Sequence, residues 1–156
     1  MTLPKRDSIV IELKRRLKKG LGNISIIEGN GGIWGSWDRT LPCIHIYEMP
    51  TSKQLVKPGK YQVELPIQLE YVNKLNSQLS VYTEGRNKLS KLEKAIELDE
   101  RFTENFSLPT QGQDLVSSFS CVADEIMSPL PGVVDVGVVY VFKYTEAFHG
   151  YELKRH

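Results

Sequence analysis

Tyr61-Gln-Val-Glu-Leu-Pro-Ile-Gln-Leu-Glu-Tyr-Val72 is the stretch that decides the fold. Tyr61, Val63, Leu65, Ile67, Leu69 and Tyr71 alternate with Gln62, Glu64, Pro66, Gln68 and Glu70. A period of two over this length marks a strand with one buried and one wet face. A helix, at 3.6 residues per turn, would smear the same apolar set around its circumference. Pro66 has no N–H to give to a ladder, so it predicts an edge or a bulge. A half-buried strand needs partners for its backbone and a cover for its apolar face, and the rest of the chain is read as supplying both.

The chain is 156 residues long, 40% hydrophobic and 25% charged, which fits one ordinary globular domain over residues 1–156. No apolar run approaches the length of about 18 residues needed to cross a membrane, and no signal-peptide pattern opens the chain. Cys43 and Cys121 are too far apart to form a metal-binding pair and too few to make a disulfide framework; a single bridge stays open. The net charge of +1 hides an asymmetry. Residues 1–60 hold 11 Lys/Arg against 5 Asp/Glu, and residues 61–156 hold 9 against 14. Either both parts are simply solvated, or the dipolar surface serves head-to-tail contacts between copies.

Residues 4–19 read as an amphipathic helix, with Pro4 at its start, Ile9, Val10, Leu13 and Leu17 on one face, and Gly20 or Gly22 closing it. Lys14, Arg15, Arg16, Lys18 and Lys19 complement the negative end of the helix dipole. They also raise a second reading, a nucleic-acid-binding module, although no aromatic residue is interleaved. Ile24–Glu28 is a short strand. The glycine-rich run 29–35 lacks the spacing of a phosphate or dinucleotide loop and reads as a turn. Trp34 and Trp37 near it serve either the core or a subunit interface. Leu41–Glu48 is the next strand, with Cys43 and His45 on one face. No second pair of ligands accompanies them, so no metal is expected.

Met49–Lys60 reads as a long basic loop, broken by Pro50, Pro58 and Gly59. Leu55 and Val56 would be out of place in a purely solvated loop. They mark Lys53, Gln54, Leu55, Val56 and Lys57 as a candidate contact with a partner. Leu75–Phe102 reads as helical, with Thr83 as a candidate N-cap and Gly85 as a break. The acids Asp99, Glu100 and Glu104 have no nucleophile near them. Asp114–Ala123 is a strand with two mild faces, Ser128–Gly132 a turn, and Val133–Phe148 a closing strand with Val134, Val136, Val138, Tyr140, Phe142 and Tyr144 on one face. The fold class expected is α+β: an antiparallel, twisted sheet of four to five strands with helices packed on it, in the order α-β-β-β-α-β-β. No nucleophile–base pair, cofactor loop or ligand set appears, so no catalytic residue, cofactor or enzymatic role is predicted.

Pro42-Cys-Ile-His-Ile-Tyr47, the polar stretch 49–60, the alternating Gln62-Val-Glu-Leu-Pro-Ile-Gln-Leu69, a helix and the terminal Gly137-Val-Val-Tyr-Val-Phe-Lys-Tyr144 form an ordered set over nearly the whole chain. This set resembles the tail terminator proteins of long-tailed bacteriophages, the lambda minor tail protein U group. The glycine-rich 29–35 run and the residues beyond Tyr144 depart from that pattern. The resemblance implies a structural protein of the virion at the head-proximal end of the tail. Six copies would form a ring that caps the tail tube, stops its polymerisation and offers neck proteins a docking surface. Its partners would be itself, the tail tube protein and connector proteins, with DNA passing through the lumen without specific binding. The basic stretch 14–19 should then face away from that lumen, because each phosphate neutralised adds about −0.9 to the salt slope of binding. A stopper or tail-completion protein of the same neck is the nearest alternative.

Overall fold

In chain order the elements are α1 (Lys5–Leu21), β1 (Ser25–Glu28), β2 (Cys43–Glu48), β3 (Ser52–Lys57), β4 (Lys60–Lys74), α2 (Val81–Glu97), β5 (Phe106–Ser107), β6 (Asp114–Val116), β7 (Ser118–Met127) and β8 (Val133–Ala147). They come from a computed structural model that describes residues 4–29, 41–76, 79–97, 106–107, 114–128 and 131–147, with only the backbone for 106–107 and 114–115. The alternating stretch is β4, the centre of the sheet. It pairs antiparallel with β8 over its full 15 residues, from Lys60↔Ala147 to Lys74↔Val133. Sheet order is β1-β2-β4-β8-β7, with β3 paired to the first half of β4 on the flank that β2 occupies further along. β5 and β6 form a separate two-stranded ribbon.

The α+β class with helices on a sheet is the architecture found. The sheet differs from expectation in two ways. It has six strands rather than four or five, because the stretch read as a long loop contains β3. It is also mixed, since β1 runs parallel to β2. A parallel pair needs a connection of a dozen or more residues, and residues 29–42 are long enough to provide one.

Both helices pack on one face. Val63, Leu65, Ile67 and Leu69 of β4 are fully buried there, as are Val134, Val136, Val138, Tyr140 and Phe142 of β8. Ile9, Leu13 and Leu17 of α1 and Leu92 and Ile96 of α2 meet them at 0% exposure. Each such side chain contributes roughly 1.5–3 kcal/mol by leaving water. Pro66 sits in a central strand, not at an edge or in a bulge. β2 leaves β4 at Glu48↔Ile67 and β3 joins at Ser52↔Glu64, so Leu65 and Pro66 have no ladder partner on that flank. The Pro66 carbonyl accepts from Met49 N–H at 3.0 Å, so its absent N–H points into the same interval and breaks no pairing with β8.

One of the two closings read for α1 is found, whereas the start of α2 differs from the sequence reading. α1 closes on Gly22, at φ 80°, whose N–H donates to the Lys18 carbonyl at 3.0 Å. α2 begins six residues after Leu75, and its cap is Ser80 rather than Thr83. The Ser80 hydroxyl accepts from Thr83 N–H at 3.1 Å. Gly85 does not break α2; it lets the helix lie against the Ile126 side chain of β7. Gly20 does the same between the helices, where a methyl group would stand 2.5 Å from Ala95 Cβ and 2.9 Å from Ala95 Cα. Alanine gains about 1 kcal/mol over glycine in an open helix, but overpacking against backbone costs about 1–3 kcal/mol. Gly20→Ala should therefore lower stability despite its helix propensity, read as a reduced urea midpoint with an unchanged slope.

Candidate interaction surface

The sequence stretch 49–60 is a β-hairpin. Pro58 and Gly59 form a two-residue turn, with Gly59 at φ 81° and the Pro58 ring holding φ near roughly −65°, the pattern of a type II turn. The register of β3 on β4 slips between Leu55 and Lys57, leaving Val56 as the bulged residue. All six residues of β3 are exposed, Leu55 at 58% and Val56 at 48%. Lys53 is tied down: its Nζ lies 2.7 Å from Glu146 and stands over the Tyr61 ring. Lys57 and Lys60 are direct cross-strand partners, two like charges flanking the turn, with no ion pair among the described residues. The structure thus presents Lys53, Gln54, Leu55, Val56 and Lys57 on one projecting ribbon, held by a strand ladder instead of a loop.

The basic end of α1 is mostly engaged within the fold. Arg16 is 3% exposed; it donates to Glu12 at 2.8 Å and to the Ile96 carbonyl in the last turn of α2 at 2.6 Å. Arg15 makes two further bonds to Glu12, at 2.7 and 2.8 Å, and Lys14 pairs with Glu28 at 2.8 Å. Burial pushes the Glu12 carboxyl up, but the two guanidiniums outweigh it and hold the group below the usual range. Lys18 and Lys19 alone of the five bases are exposed with no such partner.

The face of the sheet opposite the helices is uneven. Near β1 and β2 it is closed: Cys43, His45, Val72 and Asp135 are all at 0% exposure. His45 shares this face with Cys43, as its alternation predicts. Neither ring nitrogen of His45 has a partner, and burial holds the imidazole below its ordinary range, so it is neutral. Among the described residues no three His, Cys, Asp or Glu side chains are placed to hold a metal ion. Neither cysteine is in a disulfide, Cys43 being buried and Cys121 exposed, so the open question of a bridge is answered. Burial and then the nearby Glu93 push the Cys121 thiol up, which disfavours the nucleophilic thiolate.

The ladders align His45, Glu70, Gly137 and Glu125 in one row across β2, β4, β8 and β7. Asp135, two residues from Gly137 on the same face, has its carboxyl fully buried beside Glu70, and no cation pairs with it among the described residues. Burial first, then Glu70 and Glu125, push its carboxyl up to about 8. Beside this row, over Gly137, lies a shallow cavity of about 220 Å³ lined by Gln68, Ala123, Asp124, Glu125, Gly137 and Val139. The sequence reading does not find this group. The alternation of β4 places Glu70 on the wet face, but nothing in the sequence sets which residues of β7 and β8 stand beside it. Trp34 and Trp37, the candidate interface tryptophans, lie outside the described residues, as do Asp99, Glu100, Glu104, His149 and His156.

No protein-family model matches the chain, and no curated protein matches it above chance.

The Asp135 carboxyl has a direct consequence for stability. An acid held above its ordinary value of 3.8 stabilises the fold below that value, and the contribution is lost as the pH rises through about 8. Between about pH 4 and pH 8 this group therefore makes the protein less stable as the pH rises. Asp135→Asn should flatten that slope and be the more stable form at pH 8, as read from urea midpoints across the range.

Proposed function

We propose that this protein is a structural component of a phage neck, six copies of which form a ring that caps the tail tube, halts its polymerisation and presents a surface to the head. The observation that carries the reading is the β3–β4 hairpin, a projecting ribbon with two adjacent apolar side chains, Leu55 and Val56, in water. Exposed apolar side chains grouped on a rigid projection are what a docking element needs. The order of elements around the hairpin supports the same reading. A sheet with helices on one face and half-exposed side chains over part of the second leaves surface for contacts between copies. In this arrangement the tail tube meets the hairpin through Leu55 and Val56, neck proteins meet the opposite end of the ring, and DNA passes without specific contacts. Another neck component, a stopper or tail-completion protein, is the alternative within this class.

The nucleic-acid-binding reading is weakened by the use made of its basic helix. Three of the five bases at 14–19 are bound to Glu12 or Glu28, which leaves too few to hold a run of phosphates. The tube-capping reading is tested with Leu55→Ser/Val56→Ser. Both side chains are exposed, so the variant should keep its stability within about 0.5 kcal/mol. Tubes polymerised in its presence should grow beyond the length set by the unaltered protein, as measured by electron microscopy. Tubes of unaltered length would overturn the role of the hairpin, and a purified protein whose mass never corresponds to six copies would overturn the ring.

A further inference from the structure

Two unbalanced charge groups lie on one face of one strand. The register of β4 against β8 is unbroken, so Lys60 and Glu70 point to the same side of the sheet. At the hairpin end Lys57 faces Lys60 across the ladder; directly opposed like charges destabilise a strand pair. At the other end Glu70 and Glu125 flank Gly137 in one cross-strand row, and no cation pairs with either among the described residues. Among the described residues, the one ion pair on this face of β4 between the two groups is Lys143 with Glu64, at 3.4 Å. The lysine pair cannot neutralise the carboxylates of its own chain. Ten residues of strand separate Lys60 from Glu70, about 33 Å at roughly 3.3 Å per residue. The ligand that fits the carboxylates is a cation on a flexible stem rather than a metal, since no three ligating groups come close enough to share an ion.

We infer that the carboxylate row around Gly137 receives the Lys57–Lys60 end of the hairpin from a second copy of this chain. The occupant is chosen by charge complementarity and shape. The cavity over Gly137 exists because that residue has no side chain, and it is large enough for an ammonium head and part of its stem. Ala123 and Val139 line it with apolar surface for the methylenes, and Gln68 and Glu125 offer oxygens. Leu55 pairs with Tyr61 and so points to the opposite face of the hairpin, where it remains free for another partner. Because donor and acceptor sites occupy different ends of one subunit, each copy can give its hairpin to one neighbour and receive another. The inference rests on the self-association in the reading above, but not on the number of copies.

The test is a set of variants followed by light scattering and sedimentation over a range of protein concentrations. Gly137 has an extended backbone, and a Cβ there would meet Glu125 Cγ at 3.5 Å and Leu69 O at 3.8 Å, which is ordinary contact. Gly137→Val should therefore fold, with an unchanged circular dichroism spectrum, while filling the cavity. Glu125→Lys alters an exposed side chain and provides a second, fold-neutral variant. Each, like Lys57→Glu/Lys60→Glu, should weaken self-association by about tenfold or more. Combining Glu125→Lys with Lys57→Glu/Lys60→Glu should restore much of it. A wild-type protein that stays monomeric throughout, or inverted charges that fail to rescue, would overturn the inference. Variants that all assemble as the wild type does would also overturn it and leave the ring reading standing. Rescue in an assembly of two copies would support the interface and remove the ring.

Discussion

The antiparallel ladder between β4 and β8 is the constraint on which every other part of this structure depends. It runs for 15 residues without a register shift. An unbroken ladder of this length fixes alternation on two strands together, so Val63, Leu65, Ile67, Leu69 and Tyr71 of β4 fall on one side with Val134, Val136, Val138, Tyr140, Phe142 and Tyr144 of β8. That side is then obliged to find a cover, and α1 and α2 provide it. The same ladder fixes what lies on the other side, where Lys60, Glu64, Gln68 and Glu70 meet Ala147, Lys143, Val139 and Gly137. The packed face and the charged face are therefore two results of one register.

The interior adds a second level of order. Arg16 reaches from α1 to the last turn of α2 and is neutralised by Glu12 of its own helix. A buried ion pair contributes little net stability against an apolar alternative, but removing one partner would strand the other charge. Together with the close approach at Gly20, it fixes how the two helices sit on each other. One of the bases that in the sequence look like a surface patch, Arg16, is thus a means by which the two helices are joined.

The fold was legible where one side-chain pattern answered to one environment. The alternation in β4 and β8 and the Ile9–Leu17 face of α1 are of this kind. It was less legible where a residue carries two meanings. Pro58 and Gly59 read as breakers in the middle of a loop, yet the same two residues make the tight turn that allows β3 to pair back on β4. Gly85 reads as an end to a helix, but here it is a point of close packing. Pro66 marks a local lack of a partner, as its chemistry requires, although the strand around it is central. The carboxylate group was not legible at all. Glu70, Glu125 and Asp135 are far apart in sequence; two ladders set Glu70 and Glu125 on a common row and bring Asp135 to the next position on the same face. The neighbouring Gly137 is informative for its missing side chain, which has no meaning until that row is known.

The interval at Leu65 and Pro66 has a mechanical consequence. Over these two residues the sheet loses a strand on one flank, and the long ribbon narrows to a waist between the helix-covered body and the hairpin. Bending stiffness in a sheet comes from lateral neighbours, so curvature concentrates where they are fewest. Here that effect is opposed by the unbroken pairing with β8 and by Val63, which is buried in the core on the hairpin side of the interval.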